Sequence, residues 1–268
     1  MLVSPREILL PAFREGRLAG AFNAGNLEMA MGILRAAEKL DRPILLQIAE
    51  KRLLHSPLHL MGPLLVQAAR QARVPVAVQL DHGESGDVIA EALGYGFTGI
   101  MFDGSALSLE ENIFKTRCLC DHFTDIWIEG EIGVLSGSEG GPEAEALHSD
   151  PEQAERFAVE SGCGCLAVSI GNAHGHYKGK PKLNFAILED IRRRLPGTPL
   201  VLHGGSGIPK EDLDRAVKLG ICKVNIATAS FDALWQGAAN RGADYFDLSE
   251  AMVQAVYEST VRQLEWFA

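Results

Sequence analysis

Pro199-Leu200-Val201-Leu202-His203-Gly204-Gly205-Ser206-Gly207 is an apolar run that ends in a histidine and a loop of three glycines and one serine. A short apolar stretch punctuated in this way reads as one strand of a parallel sheet. The glycines let backbone N–H groups come close to an anion, and Ile208-Pro209-Lys210-Glu211-Asp212 reads as a helix start with proline at its first position. One segment thus offers an imidazole ligand beside a phosphate-type cradle. A tight strand-to-helix turn with an incidental histidine would be written in the same letters.

Outward from this segment the same unit repeats. Pro5–Glu15 reads as a capping helix with Ile8, Leu9, Leu10 and Phe13 on its apolar side, and Ala19–Asn23 as a first strand. Further strands are expected at Pro43–Ala49, Pro75–Leu80, Thr98–Phe102, Ile126–Gly130, Cys165–Ile170, Leu200–Leu202 and Cys222–Ile226. The helices between them are read at Leu27–Leu40, Leu58–Arg73, Asp87–Gly94, Leu107–His122, Pro151–Ser161, Phe185–Leu195 and Lys210–Leu219. Eight such units predict an α/β fold, a closed (β/α)₈ TIM barrel in a single domain over 1–268, because parallel strands buried on both faces need helical crossovers. An open doubly wound sheet is the alternative. Beyond Thr228 come one more helix and an extra C-terminal one, Leu248–Phe267, packed outside the barrel. Val134–Ser149, rich in Gly, Ser and Glu, has no clear element and reads as a mobile lid.

The chain has 268 residues and is 47% hydrophobic, enough for one large core. Its net charge of −10 argues against nucleic acid as a partner, so an anionic substrate must be held locally. No apolar run approaches the roughly 18 residues that span a bilayer, and Met1–Glu7 lacks the marks of a signal peptide; a cytoplasmic protein with no membrane partner is expected. Cys118, Cys120, Cys163, Cys165 and Cys222 read as small buried hydrophobes rather than metal ligands.

In such a barrel the reactive groups sit at the C-terminal ends of the strands. The residues there are Asn23, Asp81-His82-Gly83, Asp103-Gly104-Ser105, Glu129 and Glu131, His174-Gly175, His203, and Asn225 to Thr228. His82, His174 and His203 leave three different strands and converge on one rim. Three neutral imidazoles on a rigid rim suit Zn²⁺ with an open coordination position. His55, His59, His122 and His148 lie away from strand exits and are not assigned a role, and His176 stays open.

Asn23-x-x-Asn26-Leu-Glu, Leu80-Asp-His-Gly83, Met101-Phe-Asp-Gly-Ser105, Glu111-Asn-Ile113, Glu129-x-Glu131-x-Gly133, Gly171-x-x-His-Gly-x-Tyr-Lys178, His203-Gly-Gly-Ser-Gly207 and Lys223-Val-Asn-x-x-Thr228 together resemble the class II fructose-bisphosphate/tagatose-bisphosphate aldolase family. The resemblance runs from about Ala19 to Thr228 with the motifs in order. It implies a divalent ion, usually zinc, on His82, His174 and His203, with Glu131 and Asp103 near an alternative metal position. It implies Asp81 as the acid/base at the cleaved bond and Glu139, in the loop, as the carboxylate that moves a proton on the donor carbon. Gly175, Lys178, Gly204, Ser206, Asn225 and Thr228 match residues that hold dihydroxyacetone phosphate, with a monovalent cation, Na⁺ or K⁺, near the phosphate loops. Asn23 belongs with the substrate-binding set, and a homo-oligomer, dimer or tetramer, acting on a small sugar phosphate is implied.

The chemistry of the residues agrees. Cleaving a carbon–carbon bond beside a carbonyl leaves an enediolate, which a Lewis-acidic ion stabilises without a covalent lysine. A Schiff-base route would need a lysine on a barrel strand, and Lys223 is the one candidate. Leu248-Ser249 stands, by loose alignment, where many relatives carry Pro-Arg for the far phosphate. Lys51 and Arg52, directly after the second strand, are the replacement cations the chain offers. A non-catalytic barrel subunit or sugar-phosphate sensor is the competing reading, and it gives no reason to keep three ligands and two acid/base carboxylates.

Overall fold

The structure is a computed structural model that describes residues 1–134, 148–177, 179–239 and 242–267. Its strands are β1 (Ala19–Asn23), β2 (Ile44–Ala49), β3 (Val76–Gly83), β4 (Gly99–Phe102), β5 (Trp127–Ile132), β6 (Cys165–Val168), β7 (Leu200–Leu202) and β8 (Ile221–Ile226). They close into one parallel barrel in sequence order, with β8 paired back to β1. The closed sheet excludes the open doubly wound alternative.

Helix α1 (Pro5–Glu15) starts at a capping box of Ser4 and Glu7 and covers the N-terminal end of the barrel. The crossover helices are α2 (Leu27–Leu40), α3 (Leu58–Gln71), α4 (Gly86–Gly94), α5 (Leu109–His122), α6 (Pro151–Ser161), α7 (Phe185–Arg194) and α8 (Lys210–Lys218), and α9 (Thr228–Ala239) follows β8. Helix α10 (Tyr245–Trp266) packs outside against α2 and α9, and starts earlier than expected because the Asp244 side chain accepts from the Phe246 and Asp247 amides.

Because side chains alternate along each strand, the barrel carries two cores. Outward residues such as Leu46, Val78, Ile128 and Leu202 pack under the helices. Inward residues Ala19, Ala21, Leu45, Ala77, Trp127, Cys165 and Val201 fill the lower interior against Leu9 and Ala12 of α1. Small residues there leave room for α1. Higher up, the same inward faces turn polar with Gln47, Gln79, Glu129 and Lys223, all fully buried.

Other boundaries also differ from expectation, three of them near the barrel mouth. Strand β3 runs on through Asp81, His82 and Gly83, because its pairing with β4 shifts register between Leu80 and Gly83. Strand β5 continues through Glu131 to Ile132, paired with Ala167 and Val168. Pro209 precedes α8 as its cap residue instead of opening it, since its ψ of 150° is extended. The expected lid falls largely on residues 135–147, outside the described residues.

Candidate active site

Adjacent residues of a regular strand point to opposite faces, yet Asp81 and His82 both serve the barrel mouth. The cause is the bulge in β3: Asp81 and His82 occupy the extra length between the Leu80 and Gly83 pairings, and His82 takes a positive φ of 45°. A left-handed histidine is uncommon and strained, and such strain collects at functional sites. His203 follows directly on β7, and His174 lies in the loop after β6.

The three rings meet edge to face, with centroids 4.8 Å apart for His82–His174 and His82–His203 and 5.8 Å for His174–His203. His203 Nδ1 lies 3.1 Å from His82 Nε2. The opposite nitrogens are held by carboxylates: His82 Nδ1 by Asp103 at 2.8 Å and His203 Nε2 by Glu129 at 3.0 Å. In the neutral form, with the one N–H of each ring given to its carboxylate, His82 and His203 turn bare lone pairs toward one another. Two ligands of one tetrahedral zinc stand roughly 3.4 Å apart, so this arrangement fits a divalent cation between the rings. The carboxylate partners are the second layer that orients metal-binding histidines.

Burial, followed by repulsion from His82 and His203, holds His174 well below the usual imidazole pKa, in the neutral form that ligates. Burial also lowers His203, against the pull of Glu129. At His82 burial opposes charge, but Asp81, Asp103 and Glu131 outweigh it and raise the pKa well above the ordinary value. Glu131 is itself raised well above the carboxylate range by burial and by the Asp103 charge. His82, Asp103 and Glu131 form a second group whose ligand atoms lie within 4.8 Å of one another, as the His82, His174 and His203 atoms do. Among the described residues Glu131 Oε2 has no hydrogen-bond donor, and it lies 3.5 Å from His82 Nδ1.

Asp81 is buried, and both its oxygens accept from amides: Asn23 Nδ2 and Asn225 Nδ2, each at 2.9 Å. Lys223 is also fully buried and donates to Glu129 Oε2 and Asn225 Oδ1, both at 2.7 Å. The Schiff-base alternative is therefore corrected: this ammonium is locked in an ion pair below the mouth. Removing one partner of such a pair typically destabilises by about 3–5 kcal/mol. Gln79 Nε2 adds a third bond to Glu129, at 2.9 Å. Although burial opposes it, Lys223 and His203 keep Glu129 ionised, well below the usual carboxylate range.

Asn23, Asp81, His174, Gly175, Gly204, Ser206, Asn225 and Thr228 line one small cleft, together with Ala227. Gly204 and Gly175 both have positive φ, 68° and 81°. Ser206 Oγ accepts from the Ala229 amide at the start of α9, so the glycine loop is tied to a helix N-terminus, a natural place for an anion. Tyr177 joins the loops that carry His174 and His203: its hydroxyl accepts from Ala173 N at 3.0 Å and donates to Gly204 O at 3.1 Å.

Lys51 and Arg52 lie on a 3₁₀ turn, Glu50–Arg52, directly after β2. Lys51 Nζ is 3.3 Å from Glu84 Oε1 in a half-exposed pair at the rim, and its charge contributes to the low pKa of His174. The Arg52 guanidinium stacks over Phe231 of α9, 4.9 Å from the ring centre. Glu139 and Lys178 fall outside the described residues.

Other sequence readings divide. His176 is exposed and pairs with Asp232 at 2.8 Å on α9. The cysteines are free thiols and none belongs to a metal-type cluster among the described residues, but only Cys165 and Cys222 are buried; Cys120 and Cys163 are partly buried and Cys118 is exposed, a correction to the uniformly buried reading. Cys118 lies on α5, whose outer side faces solvent. The participation of Gln79 and Tyr177 was missed. Gln79 alternates in register with Asp81 two residues on, which was the available signal; Tyr177 stood inside the motif from Gly171 to Lys178 with no role given to it.

Comparison with known proteins agrees with this geometry. The family model described as fructose-bisphosphate aldolase class-II matches residues 3–268. A sulfofructosephosphate aldolase of Alkalicoccus urumqiensis is 41% identical over 240 residues, 88% of this chain and 83% of the relative. A fructose-bisphosphate aldolase of Geobacillus stearothermophilus is 38% identical over 239 residues, 85% of this chain and 81% of the relative. In three dimensions the chain is similar to the YdjI aldolase from Escherichia coli K12, with a TM-score of 0.91, 33% identity, and coverage of 100% of this chain and 98% of the other. With a matching model over nearly its whole length and a three-histidine rim on a closed barrel, the chain belongs to the class II fructose-bisphosphate aldolase family and is an aldolase, a carbon–carbon lyase.

Proposed function

We propose that the enzyme reversibly cleaves and forms a ketose phosphate, with dihydroxyacetone phosphate as donor and an aldehyde bearing an anionic group as acceptor. The observation that carries this reading is Asp81: a buried carboxylate beside a metal-type ligand, with both oxygens steadied by amide donors. A carboxylate so held is an acceptor aimed at one point, as a general base must be.

Zn²⁺ on His82, His174 and His203 is the cofactor assigned, with Asp103 and Glu131 flanking it. When bound, it supplies Lewis-acid stabilisation of the negative charge that develops at the donor carbonyl. Asp81 takes the proton of the hydroxyl at the bond being broken and returns it in condensation. Glu139 handles the other proton, on the donor carbon; two carboxylates are needed because the protons sit on different atoms. Gly175, Gly204, Ser206, Thr228 and Lys178 hold the donor phosphate at the α9 N-terminus, with Na⁺ or K⁺ nearby, and Asn225 and Asn23 bind donor hydroxyl oxygens while holding Asp81.

The acceptor end is assigned to Lys51 and Arg52. Lys51 is a rim cation close enough to disfavour charge on His174, and an anion drawn to the mouth needs such a partner. A sulfonate serves this role as well as a phosphate, in keeping with the name of the sulfofructosephosphate relative. Action as a homo-oligomer, dimer or tetramer, in the cytoplasm completes the reading. No helix among the described residues is long and apolar enough to cross a membrane.

A screen of phosphorylated, sulfonated and neutral aldehydes with dihydroxyacetone phosphate, following carbon–carbon bond formation, tests it. Anionic aldehydes should lead, chelation should abolish turnover, and Zn²⁺ should restore it. Full activity in metal-free protein, or a uniform preference for neutral aldehydes, would overturn the assignment.

A further inference from the structure

We propose that Lys223 is a positioning residue that ties the acid/base group to the metal-ligand set: through Asn225 it aims the Asp81 carboxylate, and through Glu129 it fixes which nitrogen His203 turns to the other histidines. The proposal rests on the reading of Asp81 as the acid/base.

An ammonium only donates hydrogen bonds. Its contact with the Asn225 side chain at 2.7 Å therefore forces the carbonyl oxygen of that amide toward Lys223 and leaves the NH₂ facing Asp81 Oδ1, 2.9 Å away. Without Lys223 the Asn225 carbonyl oxygen loses its donor, and only the Asp81 carboxylate itself is left to orient the amide. On the other side, Lys223 offsets the charge of Glu129, whose Oε1 then accepts from His203 Nε2 and leaves Nδ1 bare toward His82. Lys223, Glu129 and His203 are fully buried and Asp81 is nearly so, so water does not replace any link. The chain His203–Glu129–Lys223–Asn225–Asp81 runs across the barrel through β7, β5 and β8 to β3. It needs the bulge in β8, where pairing with β7 slips between Leu200 and Val201, to bring Lys223 inward after Cys222.

The test compares Lys223→Met, Lys223→Met/Glu129→Gln and Asp81→Ala with the parent enzyme, at saturating zinc. Four quantities are read: kcat and KM for cleavage, proton exchange on the donor carbon, zinc affinity by competition with a chelating dye, and the thermal midpoint. Partners at this remove from a metal typically change activity or affinity by about 10–100-fold. Lys223→Met should lower kcat for cleavage and zinc affinity by about that range and raise KM through the loosened Asn225, while donor-carbon exchange at saturating donor stays within about threefold of the parent. Gln79 still donates to Glu129, which helps the single variant fold; if it does not fold, the double variant, which removes both charges together, supplies the same readouts. If Asp81→Ala loses cleavage while the Lys223 variants match the parent in kcat and zinc affinity, the proposal alone is overturned. A parallel loss of kcat and of exchange at saturating donor would mark a general distortion and also overturn it. If Asp81→Ala keeps cleavage, the acid/base reading fails and takes the proposal with it.

Discussion

Replacing Gly204 by alanine should disable the site from a position that touches no reacting atom. Gly204 has φ 68° and ψ 28°, a left-handed conformation that costs a residue with a Cβ roughly 1–2 kcal/mol. An added Cβ would stand 2.0 Å from the carbonyl oxygen of Ala173, so Ala173 must retreat by roughly 1.4 Å to reach ordinary contact. Relief of such overpacking typically costs a further 1–3 kcal/mol or about that. Ala173 precedes the metal-type ligand His174, and it shares the Tyr177 hydroxyl with Gly204, so the retreat displaces the ligand and breaks the tie between the loops. A misplacement of about 1 Å at a catalytic group costs on the order of a hundredfold in rate. We expect kcat for cleavage to fall about a hundredfold, and the thermal midpoint to drop by roughly 5–15 °C for a chain of this size. Gly197→Ala is the control, because its Cβ would meet nothing within 4 Å. The assay is cleavage kcat at saturating zinc with a parallel melting curve. A Gly204→Ala enzyme within about threefold of the parent in kcat and with an unchanged midpoint would refute the reasoning.

Lys51→Ala combined with Arg52→Ala should raise KM for a phosphate- or sulfonate-bearing aldehyde at least about tenfold and leave neutral aldehydes unchanged; equal treatment of both would remove these cations from the acceptor site. Asp81→Ala should block cleavage yet leave proton exchange on dihydroxyacetone phosphate, whereas Glu139→Ala should slow that exchange. Equal losses of exchange in the two variants would mean that the roles are misassigned. Burial pushes the thiols of Cys120 and Cys222 up to about 12 and that of Cys163 to about 11, and raises Cys165 well above its ordinary value. At neutral pH these stay protonated and unreactive, so iodoacetamide on the native enzyme should mark exposed Cys118 alone, read by mass spectrometry of the digest. Rapid labelling of Cys163 or Cys165 would mean that the β6 region opens.

The barrel and its three-histidine rim were legible in the letters because both depend on local rules. An apolar run such as Leu200–Leu202 between glycine-rich turns can hardly be anything but a buried parallel strand, and the chain then delivers whatever follows it to one rim. Imidazoles at three such exits imply a shared ligand point before any distance is known. Other features answered to pairings far apart in sequence. The bulge that turns both Asp81 and His82 to the mouth is a slip in the pairing of β3 with β4 between Leu80 and Gly83, and no residue within the segment announces it. Lys223 stood out only as a lone lysine on a strand, open to a covalent role. Its partner Glu129 lies 94 residues away, and closure of the barrel brings the two within 2.7 Å in a place water does not reach. A charge drawn out of water into such a core is costly unless it is paired. The long-range pairing is what turns a would-be nucleophile into a brace, and it follows from closing the eighth strand on the first.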